Sequence, residues 1–303
     1  MNDDPCCSTA ICPLPATPAR LIDLWEHLCG ELAAGIVPDG RLNGPFQQEV
    51  LELARVRGQA CPLIVHPVVG AHGQPAASPC SPDRDERRAA REQLLASAER
   101  AGRFGVPRLL LLPQSLPLSL SRRALVERLE RGVPPAETVD GLEEERRERS
   151  TYALDALCLV LDSTLRGLEP IGVELLLSRP APWPDQAPGA GEVTRLLQLF
   201  AGAPLGTGFA TDWWYLGRTL GAPGRLGPDH TATTPEDGPL DGEPLSVADG
   251  CGLSGALPAG TGELPWSELR PPKRPGPVVL TADAALGVSA EEMVRAAALL
   301  RSW

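Results

Sequence analysis

Short apolar runs alternate along the chain with longer stretches whose apolar residues recur three and four positions apart. Short runs bounded by turn residues mark strands, and the 3.6-residue period marks amphipathic helices. Their alternation predicts βα units around a parallel sheet. Eight segments read as strands: Thr9–Leu14, Ala34–Val37, Pro62–Val69, Pro107–Leu112, Gly172–Leu177, Leu205–Thr211, Leu245–Ala248 and Pro277–Thr281. The PRLLLL run at 107–112 is apolar throughout, as expected of a strand covered on both faces.

Helical spacing follows most of them. Pro18 opens a helix carrying Leu21, Leu24, Trp25 and Leu28, and Phe46–Val56 is a second, closed by Gly58. Pro82–Phe104 has Ser81 as its expected cap, with Asp83 and Asp85 at the positive end of the dipole. Ser115–Gly141 reads as an insertion with one short helix around Ala124–Arg131. Glu143–Arg166 is a long helix, its EEERRERS front a solvated charged face. Glu192–Phe200 is another, and Ser289 with Glu292 makes a capping box for the last. Eight strands with interleaved helices and no domain linker predict one (β/α)8 barrel over residues 1–303, with a flexible arm at 1–8 and a mobile loop at 221–242.

The composition sharpens this. At 303 residues the chain is long enough for one such barrel, and 43% hydrophobic with 22% charged residues is globular rather than disordered. Its net charge of −11, with Lys273 as the one lysine, argues against nucleic acid as a partner. No apolar run reaches membrane length and the first residues are acidic rather than signal-like, so a cytoplasmic chain with no membrane contact is expected. Of the eight cysteines, Cys29, Cys61 and Cys158 lie in apolar stretches and read as core. Cys6, Cys7 and Cys12 cluster without the second ligand pair that a zinc site needs.

In a barrel of this kind chemistry sits where strands end and βα loops begin. The polar residues at those ends are His66, Gln114, Ser178 with Arg179, Asp212 with Trp213 and Tyr215, Ser246, Asp249, and Thr281. Each has a plainer reading beside the functional one. His66 is either a catalytic base or a hydrogen-bonded structural histidine. Asp212 holds a ligand hydroxyl or caps a helix starting at Trp213, and Asp249 binds a ligand or orders the glycine-rich loop behind it.

Several segments in order and spacing carry a resemblance: SPDRDERRAAREQLLASAERAGRFGVPRLLLLP, GVELLLS, PLGTGFATDWWYLG, LSVADGCGLSGALPAGTGELPW and VVLTADAALGVSAEEMVRAAALLRSW. Together they are similar to the xylose isomerase-like barrels, which include sugar-phosphate isomerases and epimerases and the endonuclease IV group. The resemblance implies a divalent metal held by carboxylates and histidines at strand ends. This chain departs from that pattern position by position. The strand-five glutamate falls on Ser178, the strand-eight glutamate on Thr281, and the strand-four histidine on Pro113. The strand-six D-x-x-H falls on Asp212 and Tyr215, the strand-seven H-x-x-D on Ser246 and Asp249. His66 is kept at strand three, and so are Gly260 and Gly262 with Glu263 behind them.

A catalytic Mn²⁺ or Mg²⁺ takes about six oxygen or nitrogen ligands. With both glutamates and the strand-six and strand-seven histidines missing, no metal or other cofactor is expected. The resulting reading is a degenerate sugar isomerase- or epimerase-like barrel that binds a small sugar-like ligand or a protein partner. Gln114, Ser178, Arg179, Trp213, Tyr215, Ser246, Asp249 and Glu263 are its candidate binding residues. The rival is an active isomerase or epimerase with His66 and Asp212 as catalytic groups and a divalent metal. An endonuclease IV-like enzyme fits least, because it needs a metal cluster and a basic face.

Overall fold

The protein is described by a computed structural model over residues 5–15, 17–30, 32–70, 73–132, 136–179, 185–211, 243–251, 254–267 and 276–302. Its strands in chain order are β1 (Cys6–Ser8), β2 (Gly35–Val37), β3 (Ile64–Val65), β4 (Arg108–Leu111), β5 (Gln114–Ser115) and β6 (Glu174–Ser178). After them come β7 (Gln186–Ala187), β8 (Leu205–Ala210), β9 (Leu245–Val247), β10 (Asp249–Cys251), β11 (Ser254–Leu257) and β12 (Val278–Leu280). Eight of them form one parallel sheet in the lateral order β2-β1-β12-β9-β8-β6-β4-β3. The two ends of that order meet: Ile36 N–H donates to Ala60 O at 2.8 Å and Val65 N–H to Pro38 O at 3.0 Å. The ring is therefore a nearly closed α/β barrel. Pairs β5–β7 and β10–β11 are short antiparallel ribbons outside it.

Seven α-helices are described: α1 (Pro18–Cys29), α2 (Gly44–Val56), α3 (Arg84–Arg103), α4 (Arg122–Arg131), α5 (Ala136–Leu168), α6 (Ala190–Leu199) and α7 (Ala290–Ser302). Their starts follow local hydrogen-bonding chemistry. The side chain of Asn43 accepts from Phe46 N at 3.0 Å, and Ser289 and Glu292 exchange bonds at the head of α7. At α3 the cap is Asp83 rather than the expected Ser81, accepting from Asp85 N and Glu86 N at 2.7 and 2.9 Å. Ser81 sits two residues upstream, accepting from Asp83 N and donating to Glu86. A carboxylate takes two orphan amides where a hydroxyl takes one, so it wins the cap. Among the described residues no helix is long and apolar enough to cross a membrane.

Three expectations move. The first strand lies at Cys6–Ser8, and Thr9–Ile11 is a 3-10 turn. Residues 6–8, expected in an arm, are thus a strand between β2 and β12. The chain turns there because Ser8 Oγ accepts from Ala10 N and Thr9 Oγ1 donates to Asp39. Strand β3 is two residues long rather than eight, flanked by Pro62 and Pro67, which have no N–H for a ladder. Helix α5 runs over 33 residues and absorbs the charged EEERRERS stretch and part of the expected insertion. The loop expected at 221–242 lies outside the described residues.

Strand alternation separates two kinds of core. Cys7, Ile36, Leu245, Val247 and Leu280 turn outward against α1 and α7, and Ile64, Leu109, Leu111, Leu175 and Leu177 outward against α3 and α5. Cys6, Val37, Leu63, Val65 and Val279 pack together inside the ring. Of the cysteines expected in the core, Cys29 is buried, while Cys61 and Cys158 are half-buried; Cys6, Cys7 and Cys12 are buried as well.

Candidate functional site

The inner residues open at the strands' carboxyl ends into a cavity of about 300 Å³. Its walls are aliphatic, from Val37, Leu63, Val65, Leu110 and Val279. Its polar edge is hydroxylic, from Ser8, Ser178, Ser246 and Thr281. Inward positions recur two residues apart along the strands, as pleating requires: Cys6 and Ser8, Gly208 and Ala210, Val279 and Thr281. Gly208 is in register with Ser178. A Cβ there would stand 2.9 Å from Leu110 Cδ1, so the missing side chain leaves room for that leucine.

Two charged residues border the cavity, Asp39 and Arg41. Asp39 follows β2, and its side chain is 8% exposed. Its oxygens accept from Thr9 Oγ1 at 2.7 Å, Arg41 N at 2.7 Å, Arg41 Nε at 3.0 Å and Arg41 Nη2 at 3.0 Å. Arg41 Nη2 also donates to Thr9 O and Cys12 O, at 3.0 and 3.1 Å. Burial works against the charged guanidinium, but the Asp39 carboxylate outweighs it and raises the Arg41 pKa above its ordinary value. A carboxylate with four donors on two oxygens has its lone pairs engaged by the protein itself. The pair braces the loop after β2 against the turn after β1. The sequence carries it only as the turn Pro38-Asp39-Gly40; its signal is an acid two residues past an inward Val37.

The sequence-derived residues divide by the same alternation. Ser178, Ser246 and Thr281 face the cavity. Arg179 follows inward Ser178 and pairs instead with Glu243 at 2.9 Å, its guanidinium 5.5 Å from the centre of the Phe209 ring. Gln114 sits on the β5–β7 ribbon and donates to Leu112 O at 3.0 Å. Asp249 lies on the β10–β11 ribbon opposite Leu257, and Glu263 is exposed in the turn after Gly260. Asp212, Trp213 and Tyr215 lie outside the described residues.

His66 is buried on the other side of β3. Leu63 and Val65 take the inward positions, so Ile64 and His66 turn out, and His66 lines a separate pocket of about 190 Å³ against α3. Its Nδ1 is 3.1 Å from Ser97 Oγ. Burial, with Arg100 nearby, lowers its pKa to about 4, leaving a neutral imidazole at neutral pH.

The described side chains at the mouth do not by themselves make a divalent-metal site. Such an ion wants several carboxylate oxygens, whereas the described mouth offers neutral hydroxyls and one carboxylate already saturated. Among the described residues no three His, Cys, Asp or Glu side chains are grouped to hold one.

No family model and no curated protein matches the chain. Solved structures do. A 3-keto-D-glucoside 4-epimerase from E. coli superposes with a TM-score of 0.61 at 12% identity, over 100% of both chains. D-allulose 3-epimerase from Methylomonas sp., in complex with D-allulose, gives 0.55 at 11% identity, over 99% of this chain and 95% of that one. The IOLI protein, solved with a bound zinc atom, gives 0.57 at 10% identity, over 97% of this chain and 95% of that one. The fold is thus the one shared by sugar isomerase- and epimerase-like barrels.

Proposed function

We propose that this chain is a sugar isomerase/epimerase-like barrel without metal-dependent chemistry, which binds a small uncharged sugar-like ligand or a protein partner at its strand mouth. One observation carries the reading: where the xylose isomerase-like pattern places its acids and histidine, the mouth presents the hydroxyls of Ser178, Ser246 and Thr281. Hydroxyls can hydrogen-bond a polyol while the aliphatic wall covers its apolar face. They cannot take a proton from carbon at neutral pH, which needs a base of matched pKa. Asp39, the described carboxylate of the mouth, is held by Arg41 and Thr9. Cys6, Cys7, Cys12, Cys29, Cys61, Cys80 and Cys158 are free thiols, which suits the cytoplasm, and the net charge of −11 suits a partner other than nucleic acid.

The test is a calorimetric titration with Mn²⁺, Mg²⁺ and Zn²⁺, paired with solvent-deuterium exchange on ketoses and sugar phosphates. The expected result is no stoichiometric metal binding and no exchange. Tight one-to-one binding, or exchange abolished by Asp212→Asn, would overturn the reading in favour of an active isomerase or epimerase.

A further inference from the structure

The pocket behind β3 is electrostatically incomplete. Arg100 reaches into it from α3, half-buried, and Nη1 donates to the neutral side-chain oxygen of Gln47 at 3.2 Å. Gln47 is itself fully buried, its amide nitrogen donating to Asp39 O and Val65 O at 3.0 and 2.7 Å. Among the described residues Arg100 has no carboxylate partner, although thirteen ion pairs occur elsewhere. A Cβ at Gly44 would lie 2.5 Å from Arg100 Nη2, so the guanidinium stands against the first residue of α2. That is the positive end of a 13-residue helix, where a cation is disfavoured.

The other polar side chains of the pocket are His66, Ser97 and Gln93. His66 is 6% exposed, and Ser97 Oγ meets its Nδ1. In the tautomer with its proton on Nε2, the serine hydroxyl donates to Nδ1 and the ring N–H is left for the pocket, where no described residue provides an acceptor. The side chain of Gln93 spends its oxygen on Ala77 N at 3.1 Å, which leaves its amide N–H groups for the pocket. A half-buried guanidinium, the His66 ring in that tautomer and an amide, with a helix start behind them, form a concave donor set that lacks an acceptor of opposite charge.

We propose that this pocket, formed by His66, Gln93, Ser97 and Arg100, is a binding site for a small oxyanion, the phosphate or carboxylate group of a metabolite. Its volume of about 190 Å³ holds one such group. The site is distinct from the strand mouth: Val65 faces one and His66 the other. It stands whether or not the mouth has lost its chemistry.

The experiment is a titration of the full chain with inorganic phosphate, acetate and chloride at low ionic strength, followed by calorimetry and by the His66 imidazole resonances. Saturable one-to-one binding of phosphate or acetate is expected, with the tighter of the two naming the source. Arg100→Gln should weaken it at least tenfold, about 1.4 kcal/mol. The same titration should raise the His66 pKa, because an anion favours the imidazolium, and Gln93→Leu should weaken binding by a smaller factor. If Arg100→Gln does not fold, Gln93→Leu and the His66 resonances carry the test. No saturation by either oxyanion, equal affinity for chloride, or affinity unchanged in the variants would overturn the proposal.

Discussion

Two cavities lie back to back across β3, and they handle charge in opposite ways. In the mouth, Asp39 and Arg41 pair with each other and the remaining polar side chains described are hydroxyls. In the outer pocket the guanidinium of Arg100 meets a neutral amide, and the imidazole of His66 meets a neutral hydroxyl. The side with the barrel's usual chemical position is therefore electrostatically closed, and the side away from it is open. Gln47 joins them, bonded to the Asp39 backbone on one face and to Arg100 on the other. Position in a barrel says where a ligand fits; the state of the charges says which ligand chemistry is left to it.

The largest expected effect breaks the closed side. Asp39→Ala leaves Arg41, a third exposed, without its carboxylate and removes the acceptor of the buried Thr9 hydroxyl. Stranding one member of a fully buried pair costs about 3–5 kcal/mol, and with Arg41 a third exposed the loss falls at the low end of that range. Urea unfolding should show that loss, and Asp39→Ala with Arg41→Met should recover much of it, because the double variant strands no charge. A loss of under about 1 kcal/mol in the single variant would mean the pair is screened by water and the mouth is not closed.

Much of this layout is legible in the residues. The apolar runs place the barrel strands near their observed positions, and the hydroxyls of the mouth are visible at Ser178 and Thr281. The exceptions have physical causes. Thr9–Leu14 has the composition of a strand, yet the hydroxyls of Ser8 and Thr9 bond locally and to Asp39 and fold it into a turn. His66 sits at a strand end, but one register step decides its face, and inward Leu63 and Val65 turn it away from the mouth. Arg100 gives no sign in sequence, because the partner it lacks is a three-dimensional property. Nothing in the order of residues marks Arg100 as a side chain that meets an amide rather than a carboxylate.

The next effect is the pH dependence of the open side. The His66 pKa is about 4 in the folded chain, against an ordinary 6.5. A lowered folded-state value means that the unfolded chain binds the proton more tightly. Stability from this group is complete above about pH 6.5 and is lost as pH falls toward 4, by roughly 3 kcal/mol in all. His66→Gln should flatten that part of the urea midpoint-against-pH curve, measured in a buffer free of oxyanions. Adding phosphate should shrink the wild-type loss, because a bound anion raises the folded-state pKa toward its unfolded value. A wild-type curve as flat as that of the variant would mean His66 titrates as if exposed.

The smallest effect compares one hydroxyl from each cavity. Ser97 Oγ lies 3.1 Å from His66 Nδ1 and is buried, so Ser97→Ala leaves a ring nitrogen unsatisfied, at a cost of about 1–3 kcal/mol. Ser178 Oγ has only a 3.4 Å contact to Arg179 O, too long to be strong, and it borders an open cavity where water can replace it. Ser178→Ala should therefore change stability by no more than about 0.5 kcal/mol. Thermal unfolding of the two variants side by side measures the difference. Equal losses would show that the hydroxyls of the mouth are tied into internal bonds to the same degree as those behind β3, and would leave the mouth without free groups to offer a polyol. A loss at Ser97 alone leaves the hydroxyls of the mouth available to a ligand.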